Sequence, residues 1–278
     1  MFVWLALLLG LIQGIAEFLP ISSSGHVAIL QNLFRDGDYE GEHLLFDILL
    51  HFSTLIAIFA VYRKNIKEML RDGVEYLRRK SDSNSDEPVA LKAPGRALLF
   101  VIVGTLPLIP MAFIPAYQLF TEPLFIGFAL IVTGLILFVT NRYIKEGKKT
   151  DKTMTLTDAI IIGLAQAVAV MPGLSRSGTT ISVGLARGLT GSFAVRFSLL
   201  LSVPAVMGAT IMSIFRAFGG GASFAYLPAY LVGFVVAAVF GFFAIQILRR
   251  IVAKRKLGNF AYYCWGIGLI TIIWSFFI

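Results

Sequence analysis

Charge is scarce in this sequence. Asp, Glu, Lys and Arg together make up 14% of its 278 residues, against 57% hydrophobic ones. A soluble domain needs about a quarter of its residues charged. A water-soluble fold is therefore excluded, and an integral membrane protein is expected. Cysteine is scarcer still. The single Cys264 lies in an apolar run and rules out an internal disulfide. Histidine occurs three times, and no His/Cys spacing of the zinc-binding kind is present. No basic segment precedes the first apolar run and no small-residue cleavage site follows it, so a cleaved leader is not expected. The net charge of +8 falls between apolar runs, where it reports orientation. No nucleic-acid partner is expected.

What is present is a series of apolar runs of about 18–22 residues, the length that crosses a bilayer. They cover 44–62, 97–117, 124–141, 197–215, 227–248 and 260–278. Pro107, Pro110 and Pro115 make the second irregular, which neighbours in a bundle can tolerate. The segment 63–96 carries Arg63, Lys64, Lys67, Arg71, Arg78, Arg79 and Lys80, and 142–152 and 249–256 are also basic. These are expected on the cytoplasmic side. Acidic 36–42 and uncharged 219–223 are expected outside.

Two further apolar segments, 2–34 and 156–195, are interrupted by Pro, Gly and Ser near the middle. The side assignment requires each to enter and leave on one face, so each reads as a re-entrant helical hairpin. They also resemble each other. Gly10 aligns with Gly163, Leu11 with Leu164, Gln13 with Gln166, Ala16 with Ala169, Ser22 with Ser175, Ser24 with Ser177 and Gly25 with Gly178. Each is followed by three spans. The expectation is an all-α membrane protein, a single domain over 1–278, built from inverted-topology repeats at 1–150 and 151–278.

The first hairpin, GLIQGIAEFLPISSSGH, carries Glu17 and His26 where lipid tolerates neither. An ionisable group at that depth usually serves a cavity with a function. Gln13 lies one helical turn before Glu17. Pro20 breaks the helix, and Ser22, Ser23, Ser24 and Gly25 read as the start of the return helix. The second hairpin repeats the device in PGLSRSGTT, with Ser175, Arg176, Ser177 and Thr180. Helix N-termini bind anions, and arginine grips phosphate through paired hydrogen bonds. The inferred ligand is a phosphate presented within a bilayer. Glycine and serine at such spacings also serve helix packing, and His26 or Arg176 alone could be structural. A Glu, a His and an Arg, each beside a Ser-Gly helix start in related segments, are harder to explain by packing. Asp47 and His51 share a face of the first span and read as structural or cavity-lining.

The motifs GLIQGIAEFLPISSSGH and PGLSRSGTTIS resemble the two signatures of the undecaprenyl-diphosphate phosphatase family, and GRALLFVIVGTLP and FSLLLSVPAVMGA resemble further family segments. The likeness covers nearly the whole chain. It implies hydrolysis of a polyprenyl diphosphate lipid to the monophosphate carrier of cell-envelope glycan synthesis, with bacitracin resistance as a consequence. It implies a multi-pass protein of the cytoplasmic membrane whose site opens outward, with six spans and two re-entrant hairpins. Carried over, the family's site residues fall on Glu17, Ser23, His26, Ser175, Arg176, Ser177 and Thr180. The first acidic position of the motif is Gln13 here, and an amide neither takes a proton nor balances a metal's charge.

In the expected mechanism, Arg176, Ser175, Ser177, Thr180, Ser22, Ser24 and the helix N-termini hold phosphate oxygens. Glu17 is a general base or the ligand of a divalent cation, magnesium or calcium, which a diphosphate's charge calls for. No organic cofactor is expected. The nucleophile is open between His26 and Ser23, with a lean to His26 because imidazole needs no activator. A homodimer is compatible with the sequence. A transporter or flippase of a lipid-linked phosphate would share this architecture. A histidine-type phosphatidic-acid phosphatase needs a later catalytic histidine, but His43 and His51 both precede Ser175.

Overall fold

A computed structural model describes residues 3–33, 44–81, 93–111, 122–220 and 226–277. Among them the chain forms α1 (Val3–Phe18), α2 (Ser23–Leu33), α3 (Leu44–Ser81), α4 (Ala93–Thr105), α5 (Leu108–Met111), α6 (Pro123–Tyr143), α7 (Leu156–Val168), α8 (Arg176–Ala186), α9 (Gly191–Gly220), α10 (Leu227–Ala253) and α11 (Gly258–Trp274). The protein is helical, as its hydropathy implies. Four helical stretches are long and apolar enough to cross a membrane: Leu45–Tyr76, Pro123–Tyr143, Gly191–Phe215 and Leu227–Ala253. Large apolar side chains such as Phe128, Leu135, Leu164, Val168 and Phe243 are exposed along the helices, as lipid-facing residues are.

The helices differ from the expected spans in three places. The basic segment after residue 62 is not a loop there. It continues α3 to Ser81, with a kink at Tyr62 (φ −107°, ψ 16°). Ile66 and Met69 extend the apolar stripe one turn apart and are buried, so packing carries the helix onward through good helix formers. The expected span 97–117 is helical only to Thr105, turns at Leu106–Pro107 and resumes as one short turn. Pro107 and Pro110 each remove a backbone donor, and 112–117 lie outside the described residues. The last helix has 17 residues.

Both interrupted segments form pairs of short helices that pack on themselves, α1 on α2 and α7 on α8. Pro20 follows the end of α1, and Pro172 follows that of α7. Thr155 and Asp158 close a capping box at the start of α7. Asp158 also holds Lys149 and Arg187, and backbone bonds between Lys149 and Gly188 and Thr190 fasten the preceding loop to the end of α8.

Each short pair packs against a helix distant in sequence. α1 lies along α10, and α7 lies along α4. Gly10 sits against the backbone of Gly233, and Gly163 against that of Gly104, so closely that neither site has room for a Cβ. α6 pairs with α11, and α3 with α9. The largest buried cluster includes Phe18, Ile58, Phe100, Ile162, Ile181, Phe197 and Leu248, where α1, α3, α4, α7, α8, α9 and α10 converge.

Candidate functional site

The two turns between short helices meet. A Cβ on Gly25 would lie 3.0 Å from the Gly173 Cα, and one on Gly178 would lie 3.1 Å from the Pro20 Cβ. The Ser177 hydroxyl donates to the Leu19 carbonyl across the junction at 3.3 Å. Each turn ends in the same cap. Ser22 Oγ accepts from Gly25 N at 3.2 Å, and Ser175 Oγ accepts from Gly178 N at 3.1 Å. The next-but-one serine follows in both, with Oγ–Oγ distances of 3.4 Å for Ser22–Ser24 and 3.3 Å for Ser175–Ser177. Ser22 takes a left-handed φ of 69°, which costs energy outside glycine and asparagine and is found at functional turns. Gly173 takes φ 91°, and its carbonyl accepts from Thr133 Oγ1, which in turn accepts from Ser175 N. α6 thereby fixes the second turn.

Glu17 stands between the turns, nearly buried. Its Oε1 pairs with the Arg176 guanidinium, at the first position of α8. Its Oε2 accepts from Ser23 Oγ at 2.6 Å and from Gln13 Nε2 at 3.1 Å. The carboxylate thus joins α1, α2 and α8 in one hydrogen-bonded cluster. The Arg176 side chain keeps 22% of its surface exposed against 6% for Glu17.

His26 lies one turn after Ser23 on α2, on the same side of the helix. Its Nδ1 is 2.8 Å from the Ser22 carbonyl and its Nε2 is 2.8 Å from the Tyr263 hydroxyl. The structure therefore brings Gln13, Glu17, Ser23 and Arg176 into one hydrogen-bonded cluster, with His26 one turn beyond Ser23 on α2. Ser22 and Ser175 serve as caps, Ser24 lies beside Ser22, and Ser177 ties the turns. Thr180 is turned toward Ser198 and its own helix carbonyls. His51 donates to the Asp47 carbonyl at 2.8 Å, a local bond within α3. Sequence reading missed Tyr263 and Thr133. A tyrosine or threonine in an apolar helix is too common to signal a site.

Among the described residues no three of His, Cys, Asp and Glu stand close enough to hold an ion. Both Glu17 oxygens are engaged, one of them by a cation, and Gln13 brings no charge.

A family model described as "Bacitracin resistance protein BacA" matches residues 6–270. The chain belongs to the BacA family. Relatives of this BacA chain include proteins named undecaprenyl-diphosphatase. That of Carboxydothermus hydrogenoformans is 37% identical, over 96% of this chain and 95% of its own length. That of Methanosphaera stadtmanae is 38% identical over 97% of each, and that of Syntrophotalea carbinolica 39% identical over 95% of each. Such coverage means that the BacA relatives match both hairpins and all the helices between them.

Proposed function

We propose that this chain is a membrane phosphatase that hydrolyses a polyprenyl diphosphate of the undecaprenyl type. The products are the polyprenyl monophosphate, which returns to cell-envelope glycan assembly, and inorganic phosphate. The observation that carries this reading is Glu17, with Ser23 on one oxygen and Arg176 on the other, at the junction of two helix starts. A nucleophile, its base and a phosphate grip stand in one cluster, and the family's relatives are named for this reaction.

The geometry favours Ser23 over His26 as nucleophile. The Ser23 proton already points at a carboxylate, whereas the Nε2 lone pair of His26 faces the Tyr263 hydroxyl. In the first step Ser23 Oγ bonds to the terminal phosphorus, its proton passes to Glu17, and the bridging P–O bond breaks to free the polyprenyl monophosphate. In the second step water attacks the Ser23 phosphoester and gives its proton to His26 Nε2. The Oγ–P bond breaks, Ser23 regains the proton held by Glu17, and His26 gives its proton up to solvent as phosphate departs. Arg176 neutralises the equatorial oxygens throughout, and the free N–H groups of α2 and α8 add to that field. A divalent cation, magnesium or calcium, would offset the charge of the diphosphate, with Glu17 the carboxylate at hand to help hold it.

The proposed setting is the cytoplasmic membrane, with the two hairpins re-entrant, the repeats inverted and the site open to the outer face. The exchange of α1 onto α10 and of α7 onto α4, with paired glycine contacts, supports that symmetry. The test is phosphate release from farnesyl diphosphate by purified protein in detergent. Release that falls on adding a chelator is expected. Detergent removes sidedness, so a carrier without hydrolytic activity would release none, and that result would overturn the reading.

A further inference from the structure

Tyr263 belongs to α11, the last helix, 237 residues beyond His26. Its ring lies parallel to the imidazole within 7°, with centroids 5.6 Å apart, and its hydroxyl is 2.8 Å from Nε2. At the other nitrogen the partner is the Ser22 carbonyl, which can only accept, so Nδ1 carries a proton. In the neutral ring Nε2 is then the acceptor, and the tyrosine O–H donates to it. Both ring nitrogens are fixed, one by the strained turn that presents Ser23 and one from the far end of the chain.

α11 is itself fastened on the residues next to Tyr263. Cys264 Sγ lies 3.7 Å from the Pro20 carbonyl at the first turn, and Trp265 Nε1 donates to the Ile131 carbonyl of α6 at 3.1 Å. The phenol is therefore held against the site by neighbours on both the hairpin and α6.

We propose that Tyr263 is a positioning residue for the second half of the reaction. It keeps His26 neutral, protonated on Nδ1, with the Nε2 lone pair in place for the water that replaces the tyrosine hydroxyl there. The proposal rests on the phosphatase reading and on His26 as the base of the hydrolytic step. The first step, in which Glu17 serves Ser23, does not depend on Tyr263.

The experiment is rapid quench of wild type and Tyr263→Phe with doubly labelled farnesyl diphosphate, following farnesyl monophosphate and inorganic phosphate separately. Phe keeps the ring and removes only the donor. In Tyr263→Phe the burst of monophosphate should keep its wild-type rate. Steady-state kcat should fall at least about tenfold, as expected for impaired base catalysis, and labelled phosphoserine should accumulate at Ser23. In a His26→Ala background, Tyr263→Phe should change nothing further. Equal slowing of both products, a rise in KM alone, unchanged kinetics, or an additive loss in the His26→Ala background would each overturn the role of Tyr263. Absence of phosphate release by the wild type would instead overturn the phosphatase reading. Wild-type turnover without a burst or phosphoserine would overturn the two-step route on which the proposal stands.

Discussion

Glu17 and Gln13 sit one turn apart on the same helix face, yet only one can hold charge. Glu17→Gln keeps the shape and the contact to Ser23 while removing the base, so turnover per folded molecule should drop about a hundred- to ten-thousand-fold. Gln13→Glu should leave turnover intact. A folded Glu17→Gln protein within about threefold of wild type, where catalysis by a base predicts a hundredfold, would reduce the carboxylate to a partner of Arg176. Arg176→Lys asks a different question, because it preserves charge and removes the planar fork. Most activity should be lost, with KM rising as well as kcat falling. Wild-type turnover from the lysine variant would take Arg176 out of the phosphate grip. At this scale the sequence was most legible where lipid is least forgiving: Glu17, His26 and Arg176 stand out because each is costly in an apolar segment. Among three adjacent serines, the family resemblance alone singled out Ser23. In the structure its hydroxyl donates to Glu17.

The helix starts obey local rules that were readable in advance. Ser22 and Ser175 precede a glycine by three residues, and both cap it as an N-cap serine should. The two turns nonetheless differ in their surroundings. α8 buries Ser177 through Ser182, whereas among the described residues α2 buries only Gly25 and Ala28. The second turn is the more buried member, and Gly173 is the point at which it presses on α6. A Cβ there would come within 2.7 Å of both the Ile126 carbonyl and Ala129, at a φ of 91°. Gly173→Ala should lower the melting temperature in detergent, with a cost of about 1–3 kcal/mol from the backbone alone. An unchanged melting curve would mean that the turn can relax away from α6. Less legible was where α3 ends, because lysines and arginines mark both a membrane boundary and a good helix. The buried Ile66 and Met69, spaced for a helix face, were the available signal.

Across the whole molecule, the charge pattern predicts sidedness. Lys145 and Lys256 are exposed in the basic segments beyond α6 and α10. Lys145→Cys and Lys256→Cys, made in a Cys264→Ala background, should react in intact cells only with a membrane-permeant thiol reagent. Reaction of either with an impermeant reagent would reverse the proposed orientation. The sequence could indicate that two segments resemble each other, since matched Gly, Gln and Ser positions survive in print. It could not indicate which helix each would lie against, because that partner is fixed by backbone approach at Gly233 and Gly104 rather than by a distinctive side chain.

That crossed packing has a consequence for how the protein can be made. Each hairpin finds its glycine seat on the opposite half, α1 on α10 and α7 on α4. Residues 1–150 alone lack the α10 seat of α1, and residues 151–278 alone lack the α4 seat of α7. Produced singly, each fragment should be degraded or should aggregate. Produced together from separate genes, the fragments should complement each other and restore phosphate release, as two incomplete pieces that are templates for one another.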